Sequence, residues 1–198
     1  MPDRTLILAS GSPARLQLLR EAGFDPKVVV SGVPEDDVVA DDTSGLTLLL
    51  AERKASAVAD PQGDAIVIGC DSILEFDGRR FGKPTSEDEA MGWLRSMRGR
   101  QGTLYTGHCV IDERTGEQVS EVAATIVRFG ITTDDELRAY LATGEAMAVA
   151  GAFTLDGRSA PFVDGVDGDP SNVIGLSLPL FRSLLTRLGI PMTALWVT

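Results

Sequence analysis

Cysteine and histidine are scarce in this sequence. Its 198 residues include two cysteines, Cys70 and Cys109, and one histidine, His108, and the cysteines have no CxxC spacing. This scarcity argues against a disulfide framework or a zinc site, so we predict reduced, buried thiols in a cytoplasmic protein. A Ser-His-Asp or Cys-His mechanism would depend on His108 alone. Since no GxSxG elbow supplies a partner, we predict a packed or surface imidazole instead.

Basic residues and long apolar runs are also few. The 18 lysines and arginines are outnumbered by 29 acidic residues, which gives a formal net charge of -11. Without a local Lys/Arg-rich run, this charge excludes nucleic acid and anionic membranes as expected partners. No apolar run approaches the roughly 18 residues of a membrane span, and the first is broken too early for a signal peptide. An anionic substrate must therefore be held by a few basic groups, metal ions or backbone amides.

The patterns that are present alternate between strand and helix. Apolar runs predict strands over residues 5–10 and 65–70, and between them Ser12 caps one helix and residues 46–59 form another. This alternation indicates an α/β fold. Antiparallel hairpins are predicted at two turns, 77–78 and 115–116, so the sheet is expected to be mixed.

Further signals complete the predicted architecture. Two capping boxes, Ser86 with Glu89 and Thr133 with Glu136, predict helix starts, and residues 178–188 predict a last helix. No low-complexity linker divides the chain. We therefore expect one continuous domain over residues 1–198, with two lobes.

The first loop has the composition of an anion site. The strand over 5–10 runs through Ser-Gly-Ser onto a helix N-terminus, where unpaired N–H groups and the positive end of the helix dipole meet. Arg15, in the first turn, is the wrong charge for that helix end unless an anion binds there. A plain N-cap with a solvated arginine is the alternative.

A second cluster follows the strand over 65–70. Asp71 stands at its predicted carboxyl end, where open α/β sheets place ligands, and can hold a divalent cation or accept a proton from water. Lys83 lies between a glycine and a proline, which restrict its backbone and favour a functional role. Lys54 lies on a helix face, where a lysine that is simply solvated is the alternative. Glu35, in an acidic loop, is a second metal-binding candidate if the fold brings it near Asp71.

The motifs together resemble one family. "LASGSPARLQLL", "GCDSI…FGKP", "YTG", "AGAFTLDG" and "DGDPSNVIGLSLPL" occur in the order found in the Maf family of nucleoside triphosphate pyrophosphatases. The resemblance, closest to the actinobacterial branch, implies a mixed, twisted sheet flanked by helices, related to the inosine triphosphate pyrophosphatases, with the site in a cleft between two lobes. It also implies a homodimer that hydrolyses nucleoside triphosphates to the monophosphate and pyrophosphate with Mg²⁺ or Mn²⁺.

The resemblance assigns roles to individual residues. Asp71 occupies the position of the family's proton acceptor, and Asp71 with Glu35 would bind the metal. The positions of the phosphate contacts and basic groups are Ser10, Ser12, Arg15, Lys54 and Lys83. The cellular role implied is the removal of modified nucleotides, with a link to arrest of division and septum formation.

Three residues depart from the pyrimidine-preferring branch at its base-selecting positions. Ala14 replaces an arginine, Ser72 a threonine and Asp156 a glutamine. An acidic group at Asp156 could accept hydrogen bonds from a guanine-type N1–H and amine; a simple Asp-Gly turn is the alternative. The position of a common family histidine is Gly102.

A second class of function stays open. The chain could be a nucleotide-binding regulator of septum formation that does not turn the nucleotide over. A haloacid-dehalogenase-type phosphatase is disfavoured because no DxDx[TV] motif follows the first strand.

Overall fold

One mixed sheet of seven strands forms the centre of the molecule. The computed structural model describes residues 4–35 and 37–197. The strand order is β2-β1-β3-β5-β6-β7, with β4 paired to β3 alone, and only β1 with β2 and β3 is parallel. The strands are β1 (Leu6–Leu8), β2 (Lys27–Val28), β3 (Ile66–Phe76), β4 (Arg79–Phe81), β5 (Gln101–Asp112), β6 (Gln118–Phe129) and β7 (Val163–Asp167).

Helices cover both faces of this sheet, which confirms the predicted α/β class. The α-helices are α1 (Pro13–Glu21), α2 (Thr43–Ser56), α3 (Glu87–Met97), α4 (Asp134–Leu141), α5 (Pro170–Ile174) and α6 (Leu178–Arg187). Short 3₁₀ segments lie at Glu145–Ala148, Ala150–Ala152, Ala160–Phe162 and Met192–Leu195. No helix of the described residues is both long and apolar enough to cross a bilayer.

The predicted helix starts are largely present. Ser12 caps α1, its hydroxyl accepting from the Arg15 amide, and Thr133 and Glu136 form the full capping box of α4. Ser86 caps α3, but the Glu89 carboxylate accepts from Thr85 rather than from the cap residue, so the box is only half formed.

The third strand is longer than its apolar run. We expected a strand end at Cys70, but β3 continues to Phe76, so the prediction that Asp71 lies at a strand terminus is wrong. Pairing with β5 along almost its whole length carries the chain on as strand. The hairpin turn itself is confirmed: Asp77 and Gly78 have φ values of 52° and 69°, as a type I′ turn requires.

The two faces of the sheet carry different helices. Leu6 and Ile68 point to a face that packs against α1 and α6, which we call the α1 face. Further along the same face, Leu74 belongs to a second core with α3 and α4. The opposite face, which we call the α2 face, carries Val67 against Ala51 of α2. The sheet thus joins two separate apolar cores on its α1 face.

Two glycines seat α2 on its face of the sheet. A Cβ on Gly69 would lie 2.4 Å from the Ala51 carbonyl oxygen, and one on Gly107 would lie 2.1 Å from that of Thr47. The helix backbone therefore lies directly on β3 and β5, which fixes the position of Lys54 at its end.

The scarce residues have packed positions. Cys70 and Cys109 are free and buried, which confirms reduced thiols within the structure, and burial raises the pKa of each to about 12. His108 is fully buried, and its surroundings lower its pKa to about 4, chiefly through burial. The packed imidazole is therefore confirmed.

Candidate active site

The candidate site lies at a gap in the strand pairing of β3. On one side, β5 pairs with β3 from Ile66 to Glu75. On the other side, β1 pairs only as far as Ile68 and β4 begins only at Leu74. Between those residues, the described part of the chain gives β3 no strand neighbour on that side. Neighbouring residues of a strand point to opposite faces, so at this gap the Asp71 carboxylate lies on the α2 face and the Ser72 hydroxyl lies on the α1 face.

Arg15 reaches the gap from α1. Its Nε donates to the Gly175 carbonyl at 2.7 Å, Nη1 to the Ser10 hydroxyl at 3.0 Å and Nη2 to the Ser72 hydroxyl at 2.9 Å. The Ser10 hydroxyl also accepts from the Ser12 amide at 3.2 Å. The first loop, α1 and β3 are therefore joined through one guanidinium.

The charge of Arg15 is buried without a carboxylate. The residue is 9% exposed, and its three partners are neutral oxygens. No acidic side chain within residues 4–35 and 37–197 forms an ion pair with it, whereas Arg4, which is partly buried, pairs with Asp112. Because a buried charge without a counterion is costly, this guanidinium is suited to an anionic ligand.

On the α2 face, Lys54 lies between two carboxylates. Its Nζ is 2.6 Å from Asp71 Oδ1 and 2.8 Å from Glu35 Oε1. Asp71 and Lys54 are each 8% exposed. Burial raises the pKa of Asp71 above its usual value, opposed by Lys54 and then by Arg15. The Arg15 guanidinium is thus close enough to act on Asp71, and a carboxylate with a raised pKa is suited to accept a proton.

The remaining predicted residues form no hydrogen bond or ion pair with the Arg15, Lys54 and Asp71 side chains in the part of the chain that the structure describes. Ala14 is half-buried in the first turn of α1, and Lys83 is exposed in the loop after β4. Asp156, also exposed, accepts from the Thr154 hydroxyl within its own turn. The segments of Lys83 and Asp156 are tied together, since the Gly151 amide donates to the Gly82 carbonyl at 2.9 Å. The structure does not bond Lys83 or Asp156 to Asp71 or Arg15.

Several buried polar residues that support the site were not predicted. Thr106 lies beside Ser72, with 2.9 Å between the hydroxyls. His108 Nε2 accepts from the Ser177 amide at 2.8 Å and so holds the corner between α5 and α6, where Gly175 contacts Arg15. Gly175 has φ of 121°, and a Cβ there would lie 3.2 Å from Arg15 Nε. Thr106 lies in the "YTG" motif and Gly175 in "DGDPSNVIGLSLPL", but the spacing of these motifs in the sequence does not show that they meet in the fold.

Asp71 and Glu35 together fit a divalent cation. Both offer hard carboxylate oxygens at the same ammonium, and Mg²⁺ is commonly held by one or two carboxylates together with substrate phosphates. No cluster of three or more metal-binding side chains occurs among the residues that the structure describes. The donor set therefore fits a metal ion completed by a phosphate ligand rather than one enclosed by the protein.

Comparison with known proteins places this sequence in a family. The family model described as "Maf-like protein" matches residues 5–188. The chain belongs to the Maf family. The matched span contains all the candidate site residues, and the resemblance found in the motifs is confirmed.

Relatives in the family are similar over nearly their whole length. A protein of Streptomyces coelicolor named nucleoside triphosphate pyrophosphatase is 60% identical over 197 residues, covering 98% of this chain and 96% of the relative. One of Mycobacterium tuberculosis with the same name is 49% identical, covering 96% and 93%. Among solved structures, the Staphylococcus aureus Ham1 protein matches with a TM-score of 0.42 and 16% identity, covering 64% of this chain and 72% of that one.

Proposed function

We propose that this protein hydrolyses nucleoside triphosphates to the nucleoside monophosphate and pyrophosphate. One observation carries the proposal: a buried Arg15, which forms no ion pair within the described residues, lies next to a buried pair of Lys54 and Asp71 at a gap in the sheet. The first feature favours a polyanion, and the second favours proton transfer beside it. The names of the Streptomyces and Mycobacterium relatives support the same activity.

The triphosphate is bound by groups converging from three elements. Arg15 and the first-loop amides around Ser10 and Ser12 approach from one side of the gap, and Lys54 approaches from α2. Lys83, which is exposed in the loop after β4, is proposed as a further phosphate contact. These few cations hold the substrate in a chain whose net charge is -11.

Asp71 accepts the proton of the attacking water. The water oxygen bonds to the α-phosphorus, the bond from that phosphorus to the α,β-bridging oxygen breaks, and pyrophosphate leaves with the electron pair. Lys54 and Arg15 oppose the rise that burial causes in the pKa of Asp71, which favours its ionised form, and they stabilise the charge that develops on the phosphates. A divalent cation such as Mg²⁺ or Mn²⁺, held by Asp71 and Glu35, would neutralise phosphate charge when bound.

The nucleoside is assigned to the side of Ser72. Ala14, Ser72 and Asp156 are the proposed base-selecting residues, and the Asp156 carboxylate would favour a base that presents N–H groups. The removal of modified nucleotides and a role in septum formation remain predictions of the family resemblance.

The products of hydrolysis test this proposal directly. The purified protein is incubated with Mg²⁺ and a panel of normal and methylated nucleoside triphosphates, and pyrophosphate and orthophosphate are scored separately. We expect pyrophosphate and the monophosphate in equal amounts. Release of orthophosphate would indicate a phosphatase instead, and binding without any product would indicate a nucleotide-sensing regulator.

A further inference from the structure

A chain of hydrogen bonds runs from Arg15 into the interior on the α1 face. Arg15 Nη2 lies 2.9 Å from Ser72 Oγ, which lies 2.9 Å from Thr106 Oγ1, and Thr106 Oγ1 lies 3.3 Å from the Asn172 carbonyl oxygen. Thr106 is fully buried, whereas Ser72 is only partly buried and stands at the gap in β3. Ser72 is therefore the member of this chain that a ligand can contact.

The two ends of the chain fix the direction of every hydrogen in it. A guanidinium can only donate, so Ser72 Oγ accepts from Arg15. A carbonyl can only accept, so the Thr106 hydroxyl donates to Asn172. Thr106 has no second hydrogen, and the Ser72 hydroxyl must donate to Thr106. Ser72 is left with one free lone pair and no hydrogen for a ligand.

We propose that Thr106 is a positioning residue that makes Ser72 a hydrogen-bond acceptor only, so that Ser72 selects a base that presents an exocyclic amine to it. This inference rests on the proposed function and deepens it. Phosphate oxygens, being acceptors, are excluded from Ser72, which places the nucleoside and not the triphosphate there. A ribose hydroxyl can donate or accept, so only the base is discriminated by this arrangement.

The consequence is a preference between bases that exchange an amine for a carbonyl. ATP and ITP, CTP and UTP, and GTP and XTP are such pairs. In the pair whose exchanged group contacts Ser72, the carbonyl oxygen of the base faces the Ser72 oxygen, and neither atom has a hydrogen to donate. Sites built for hydrogen bonding strongly reject a substrate that leaves such groups unpaired.

The test compares kcat/KM within these three pairs for the wild type and five variants. Thr106→Val removes the acceptor for the Ser72 hydrogen, and Thr106→Ser retains it. Thr125→Val is the matched control, because Thr125 is equally buried and also bonds the Asn172 segment but does not reach Ser72. Ser72→Ala, alone and combined with Thr106→Val, shows whether Thr106 acts through Ser72.

We expect the wild type to prefer the amine member of at least one pair by at least about fivefold. Thr106→Val should lower that preference by at least about threefold by raising kcat/KM for the carbonyl member, since the freed Ser72 hydrogen can then be donated to it. A merely structural loss would not raise activity on any substrate. Thr106→Ser and Thr125→Val should keep the wild-type preference.

Three results would overturn the inference. Pyrophosphate release with no preference in any pair would reject it and leave the proposed function standing. An equal loss on both members in Thr106→Val, or an unchanged effect of Thr106→Val in the Ser72→Ala background, would show that Thr106 does not act through Ser72. Absence of pyrophosphate from every nucleotide would reject the inference together with the proposed function.

Discussion

The two buried cations of the site, Arg15 and Lys54, differ in the charge of their partners. Arg15 is a buried cation whose partners are all neutral, while Lys54 is a buried cation between two carboxylates. A polyanion should therefore gain most from Arg15, because none of its hydrogen-bond partners among the described residues carries a negative charge. Lys54 has a second role, because it lowers the pKa of Asp71 where burial raises it.

The first prediction concerns the anion site. Arg15→Gln should weaken pyrophosphate binding at least about tenfold, since a charge-assisted contact with a buried guanidinium is lost. Isothermal titration calorimetry measures the dissociation constant. Arg187→Gln is the control, because Arg187 is exposed on α6 and pairs only with Glu121. Equal affinities for the wild type and Arg15→Gln would rule out Arg15 as the anion site.

The sequence indicated the local chemistry of these residues but not their network. Ser12 as a cap and Asp71 after an apolar run were recognisable because both signals lie within a few positions. Thr106 and Gly175 were missed, because they contact Arg15 and Ser72 only through the pairing of β5 with β3 and the corner after α5. Contacts between residues so far apart in the chain depend on the register of the sheet, which local pattern does not determine.

Among the elements, α2 and β3 determine where the acid and the lysine meet. Gly69 and Gly107 let the α2 backbone lie on the sheet, which brings Lys54 to Asp71. The sequence predicted the helix over 46–59, and the structure begins it earlier, at Thr43, because Asp42 caps it. The end of β3 was misjudged because pairing with β5, rather than the apolar run, determines its length.

The second prediction tests this close packing. Gly107→Ala should destabilise the fold by about 2 kcal/mol, because the added Cβ would lie 2.1 Å from a backbone oxygen of α2. Urea unfolding measures the change in the free energy of unfolding, provided that the m value is the same for the wild type and the variant. Gly92→Ala is the control: Gly92 lies inside α3 with open space around it, so alanine should stabilise by about 0.5 kcal/mol. Equal effects would contradict the packing of α2.

Across the whole molecule, the long strands connect two cores with a polar layer between them on the α1 face. Thr106 and His108 of β5 lie in that layer, and His108 binds the Ser177 amide at the start of α6. The mixed sheet and the flanking helices were predictable from the alternation of strands and helices. The gap beside Asp71 was not, because it depends on where β1 and β4 stop. The homodimer stays a prediction.

The third prediction concerns folding and pH. His108 titrates at about 4 in the folded protein and near 6.5 when unfolded, so between these values the unfolded chain binds more protons. The free energy of unfolding is therefore not reduced by His108 above pH 6.5, and it falls by roughly 3 kcal/mol as the pH is lowered to about 4. The free energy of unfolding, measured by urea titration at several pH values, should fall more steeply for the wild type than for His108→Gln. Parallel curves would exclude this role.

The most direct test of the account is the turnover of Asp71→Asn. Asparagine can still accept from Lys54, which also keeps its contact with Glu35, so the fold should be retained and the melting temperature should change by only a few degrees. With nucleoside triphosphate and Mg²⁺, kcat for pyrophosphate release should fall at least about 100-fold, because the group that takes the proton from water is gone. A folded Asp71→Asn protein that releases pyrophosphate at nearly the wild-type rate would contradict the account.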